Sequence, residues 1–156
     1  MEHSSTYPIA YVTPSGLPAS DCLGLEVQIG RTIGESDVYM FAGITGDLNV
    51  IHMNEQFMST SDYGQRIAHG VLTVGLMSTA STKMIERLGV VAVSYGYDKV
   101  RFIKPVFIGD TVTVTYRLVE IEADGRRTRA EVTATNQRNE TVAVGQHILH
   151  FTGALA

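Results

Sequence analysis

Cysteine occurs once, at Cys22, so no intramolecular disulfide can form and a cysteine-based zinc site is excluded. Tryptophan is absent, and no apolar run approaches the roughly 18–20 residues that a membrane-spanning helix needs. Basic residues are not in excess. Twelve Lys and Arg stand against 16 Asp and Glu, a formal charge of −4, which argues against a nucleic-acid binder because phosphate backbones call for a basic face. The first residues, Met1 to Thr6, carry neither the basic start nor the apolar stretch of a secretory signal, and the final Gly-Ala-Leu-Ala is no peroxisomal address. The expectation is a cytoplasmic protein without membrane or nucleic-acid partners.

Proline is scarce too, and three of the four (Pro8, Pro14, Pro18) fall before residue 22. Residues 1–22 therefore read as an irregular arm and 23–156 as one domain, long enough to bury a core without staples. From Leu25 the pattern Leu25, Val27, Ile29 alternates with Glu26 and Gln28, as a half-buried strand does. Ser36 offers an N-cap with Asp37 in the first turn, and Gly46 a left-handed stop, so a helix spans the residues between. Asn54 caps a second, short helix to about Ser59.

The stretch Gly70 to Thr82 (GVLTVGLMSTAST) contains no charge, which predicts a helix buried on every side at first and emerging near Lys83, Glu86 and Arg87, with Gly89 as its stop. All that follows reads as strands. Val91, Val93, Tyr95 and Tyr97 alternate before the phase flips to Val100 and Phe102, the signature of a bulge. Two further alternating runs and a last strand from Val142 to Phe151 are separated by the turn sequences ADGRR and QRNET. The expectation is an α+β domain: one long buried helix followed by a four-strand antiparallel meander, with the early strand completing a sheet curved around the helix.

Chemistry concentrates in GITGDLNVIHMN, Gly43 to Asn54, where Asp47 and His52 sit among apolar residues between two helices. In a loop both can converge on one water, and such acid–base work is worth about 10²–10⁴-fold. The bland alternatives are an Asx turn for Asp47 and a satisfied structural role for His52. Gly70 opens the long helix, where the first amides lack intrahelical partners, so a substrate carbonyl could approach its N–H; alternatively the glycine only relieves crowding. His69 beside it reads as a packing or capping residue, and Ser78 can bond back to its own helix. His147 and His150, three apart on a strand, face opposite sides, so no metal site is expected there.

FAGITGDLNVIHMNEQF resembles the signature of the MaoC-like, R-specific enoyl-CoA hydratase family, in which Asp, Asn and His occur as Asp-x-Asn-x-x-His. IAHGVL and FIKPVFIGDTV resemble its two other recurrent stretches, in order and at the right spacing. The resemblance implies a hot-dog fold, usually dimeric, and a hydratase or dehydratase acting on a trans-2-enoyl thioester of coenzyme A or a carrier protein, with no metal and no other cofactor. It implies that Asp47 and His52 activate the water, Asn49 orders the loop, the Gly70 amide polarises the thioester and Ser78 lies near the acyl pocket. Lys99, Arg101 and Lys104 are candidates to meet coenzyme A phosphates, or else a solvated charged row. One departure stands out: Val50 follows Asn49 where the family commonly has proline, which removes rigidity but no reacting group. The rival functions are a hot-dog thioesterase, which usually carries a carboxylate on the central helix, and a non-catalytic acyl-thioester-binding module.

Overall fold

The structure is a computed structural model that describes residues 19–123 and 125–152. Most of the expected N-terminal arm, with its prolines, lies outside the described residues. Its last four form a helical turn, α1 (Ala19–Cys22), and Cys22 is fully buried, so the arm's end packs into the core. Strand β1 (Glu26–Thr32) follows, then α2 (Glu35–Thr45) and two single-turn helices, α3 (Val50–Met53) and α4 (Glu55–Met58). The long helix α5 (Gly70–Leu88) precedes strands β2 (Ala92–Phe102), β3 (Thr111–Ile121), β4 (Arg127–Thr135) and β5 (Thr141–Phe151).

Local chemistry accounts for the boundaries. Helix α2 starts one residue before Ser36, because the Asp37 carboxylate accepts from the Gly34 N–H at 2.8 Å and so closes the first turn. Gly46 (φ 77°) ends it in the left-handed region, and Gly89 (φ 65°) ends α5, as expected. Asn54 caps α4 by accepting from the Phe57 N–H at 3.0 Å.

The five strands form one antiparallel sheet in the order β1-β3-β4-β5-β2. This corrects the expected four-strand meander: only β3, β4 and β5 are sequential neighbours, and β2 pairs with β5 instead of β3. Residues 103–110 carry the chain from one edge of the sheet toward the other. They are held by Ile33 N–H to Asp110 carbonyl (2.8 Å) and Gly109 N–H to Ile33 carbonyl (2.7 Å). The phase flip of β2 is a register shift between Asp98 and Arg101, with Lys99 at φ 53°, and a second shift falls between Ser94 and Gly96.

Helix α5 lies across the sheet and buries Thr73, Leu76, Met77, Ala80, Ser81, Met84 and Leu88 against Val112, Val114, Tyr116, Val132 and Leu149. Its burial is a stripe running the whole length, so the expectation of a helix buried all round at first and emerging only at its end is corrected. Val71, Gly75, Ser78 and Thr79 face outward although none is charged. Val93, Tyr95 and Phe102 of the edge strand β2 are likewise exposed. No helix among the described residues is long and apolar enough to cross a membrane.

Candidate active site

Three segments converge at the N-terminal end of α5. The first is the turn after α2. Asp47 donates its N–H to the Thr45 hydroxyl (3.2 Å), while its carboxylate accepts from the Asn49 N–H at 3.4 Å, a loose Asx turn that leaves Asp47 exposed. Asn49 then caps α3, accepting from the Ile51 N–H at 3.2 Å. The amide thus orders the loop, and Val50 occupies the first position of α3, where proline would be preorganised and its missing N–H harmless.

Helix α3 turns His52 inward, 7% exposed. Its Nδ1 lies 2.7 Å from the Ile67 carbonyl. A carbonyl only accepts, so in the neutral ring Nδ1 carries the proton and Nε2 is left with a free lone pair. The Ile67 N–H returns a bond to the Ile51 carbonyl (3.1 Å), which ties α3 to the second segment, residues 67–69. That segment is pinned in turn by Ala68 N–H to Val106 carbonyl (2.7 Å) in the third segment, the crossing stretch.

His69 is 2% exposed and its Nε2 is 3.0 Å from the Asp47 backbone carbonyl. Its ring lies against His52 with centroids 3.8 Å apart and planes tilted by 30°, and it meets Phe41 with centroids 4.9 Å apart. One donor atom each from Asp47, His52 and His69 lie within 4.8 Å of one another. This set could hold a metal ion, or a single water between the same atoms.

Gly70 is the first residue of α5, so its N–H has no intrahelical acceptor, and the His69 side chain does not cap it. It lines a cavity of about 360 Å³ with His52, Tyr63, Thr73, Phe102 and Lys104. A Cβ at residue 70 would meet the Phe102 ring at 3.0 Å, so any larger residue here would need that ring to give way.

Asp47 does not line the cavity, nor do most of the other candidates. Ser78 is two turns further along α5, about 12 Å at 1.5 Å per residue. It is exposed and faces the Tyr97 hydroxyl, which is buried and makes no aligned hydrogen bond among the described residues. Of the basic row, Lys104 alone lines the cavity, paired with Glu140 at 2.6 Å. Lys99 sits in the bulge and Arg101 donates to the Val100 carbonyl, both exposed and apart from the cavity.

Composition and spacing undervalued two groups. His69 is adjacent to Gly70 in sequence, yet its partner Asp47 is 22 residues away, and only the fold joins them. His147 is fully buried, its Nε2 2.8 Å from Ser94 Oγ and its Nδ1 3.0 Å from the Tyr116 hydroxyl, with Tyr97 stacked on it at 4.2 Å. Burial pulls its pKa down to about 4 and pushes the Tyr97 hydroxyl up to about 12. That cluster joins β2, β3 and β5 and includes neither Asp47 nor His52.

The chain is similar to known proteins in sequence and in fold. Residues 24–142 match the MaoC like domain. The (R)-specific enoyl-CoA hydratase of Rhodospirillum rubrum is 39% identical over 92 residues, 59% of this chain and 62% of that protein, so the match spans somewhat less than two thirds of that relative. The 3-hydroxybutyryl-CoA dehydratase of Methylorubrum extorquens is 38% identical over 113 residues, 72% of this chain and 70% of that protein. The solved structure of the unliganded R-hydratase PhaJ1 of Pseudomonas aeruginosa superposes with a TM-score of 0.74 at 28% identity, covering 84% of this chain and 82% of that one. The long helix on a five-stranded antiparallel sheet is the hot-dog fold, and the chain belongs to the MaoC-like domain family.

Proposed function

We propose that the protein is an (R)-specific enoyl-CoA hydratase and 3-hydroxyacyl-thioester dehydratase, a hydro-lyase that needs neither metal nor redox cofactor. The observation that carries this reading is His52, whose Nδ1 is engaged by the Ile67 carbonyl while its ring offers a donor atom within 4.8 Å of the Asp47 carboxylate and lines a cavity that also contains Gly70. The relatives named hydratase and dehydratase support it.

In the hydration direction a water is held by Asp47 and His52 and loses a proton to this pair as its oxygen bonds to C3 of the trans-2-enoyl thioester. The C2–C3 π electrons move onto the thioester as an enolate, whose oxygen takes a hydrogen bond from the Gly70 N–H. A donor aimed at developing charge is typically worth ~10²–10³ in rate. Collapse of the enolate takes a proton at C2 from the same pair, so water is consumed and the pair ends as it began. Asn49 keeps Asp47 in place through its N–H and its cap on α3. Lys104, at the cavity's rim, is the basic residue placed to meet a coenzyme A phosphate. Ser78, so far along α5, would touch only the distal part of an acyl chain.

The thioesterase alternative is disfavoured because α5 offers no carboxylate before Glu86. The exposed apolar side chains of β2 and the uncharged outer face of α5 before Lys83 support a homodimer or higher homo-oligomer.

The test is incubation with crotonyl-CoA, following the enoyl absorbance and free thiol together. Loss of absorbance without thiol, yielding (R)-3-hydroxybutyryl-CoA, is expected. Thiol release would move the protein to the thioesterases, and no change with a panel of enoyl thioesters would leave the binding-module reading.

A further inference from the structure

The loop that carries Asp47 has little to hold it. Asp47 is exposed, its carboxylate bond to the Asn49 N–H is long at 3.4 Å, and Val50 supplies none of proline's rigidity. One buried side chain reaches it from another segment. His69 Nε2 lies 3.0 Å from the Asp47 carbonyl, and because that carbonyl only accepts, Nε2 carries the proton of the neutral ring. The other nitrogen, Nδ1, is buried and unpartnered among the described residues. A histidine that served only as filling would not need the donor, since its neighbours here are the rings of Phe41 and His52.

We propose that His69 is a positioning residue of the hydration reaction: its Nε2–H anchors the Asp47 backbone while its ring backs His52, so that carboxylate and imidazole are held at one spacing around the water. This inference rests on the hydratase reading. It assigns His69 no contact with substrate. A displacement of a reacting group by about 1 Å can cost about 10²-fold, and whereas α3 is tied to residues 67–69 through Ile51 and His52, the bond from His69 is the one that reaches Asp47 itself among the described residues.

The test compares His69→Phe, which keeps an aromatic ring against Phe41 and His52 but has no donor, with His69→Gln, whose amide N–H can reach the same carbonyl. Wild-type turnover of a trans-2-enoyl-CoA is measured first, and amide hydrogen exchange at residues 47–50 is followed in all three proteins, since exchange reads the tether whether or not turnover occurs. His69→Phe should lower kcat by about 10²-fold with KM within about threefold, unfold near the wild-type temperature, and exchange faster at residues 47–50. His69→Gln should recover most of the kcat and the protection. A His69→Phe protein with wild-type kcat and exchange overturns the proposal, and so does a His69→Gln protein as impaired as His69→Phe. Should His69→Phe fail to fold, His69→Leu takes its place in the same comparison. An inactive wild type whose exchange still depends on the 69 donor would refute the hydratase reading alone.

Discussion

Lowering the pH should destabilise this protein through His147 by a calculable amount. The ring is fully buried, bonded to Ser94 and Tyr116 and stacked on Tyr97, with no carboxylate among these contacts to balance a positive charge. Its pKa falls from 6.5 to about 4 in the folded state. Above 6.5 both folded and unfolded chains carry a neutral ring, so the folded state suffers no penalty. Below it the unfolded chain takes a proton that the folded chain refuses, and stability is lost as pH falls toward 4. At 1.36 kcal/mol per unit, the full loss is about 3 kcal/mol, an upper figure, against a typical domain stability of about 5–15 kcal/mol. The assay is urea unfolding at fixed protein concentration between pH 8 and 4, in wild type and in His147→Gln, which keeps a donor and an acceptor but does not titrate. Carboxylates shift both proteins alike, so the difference in slope isolates His147 and should approach one proton near pH 5. Equal slopes in the two proteins would refute the reasoning.

Asp47→Asn should lower kcat by about 10²–10⁴-fold with little change in unfolding midpoint, because asparagine keeps an oxygen for the Asn49 N–H; steady-state kinetics beside thermal melts will show it. Gly70→Ala places a Cβ 3.0 Å from the Phe102 ring, beside the amide expected to meet the substrate oxygen. Its kcat/KM should fall toward the ~10²-fold cost of losing one such donor, and Phe102→Ala in the same chain should relieve the crowding, as a double-mutant comparison of melting temperatures would reveal. Lys104→Ala should raise KM for a coenzyme A thioester by about fivefold, the worth of roughly 1 kcal/mol, and leave the corresponding pantetheine thioester unaffected. Added salt should shrink the difference.

Much of the local structure was determined by the sequence alone, because caps, stops and alternation depend on residues only a few positions apart. Gly46 and Gly89 end their helices in the left-handed region that glycine enters freely, Asn54 caps α4, and the phase change after Tyr97 is a real bulge. The proximity of Asp47 and His52 was legible for the same reason: five residues of chain bring a carboxylate and an imidazole to one place. The tertiary structure decided what depends on distant partners. It set β2 against β5, because the stretch from Ile103 to Asp110 crosses from the edge strand β2 to β3 near the opposite edge instead of turning back as a hairpin. It divided the uncharged surface of α5 into a buried stripe and an open face, since a single sheet can cover only one side of a helix. It left Ser78 and two of the three basic residues away from the cavity, and it put His69 against a carbonyl 22 residues earlier in the chain. No pattern in sequence records that contact, because the hydrogen bond is to backbone, and a backbone carbonyl looks the same at every residue.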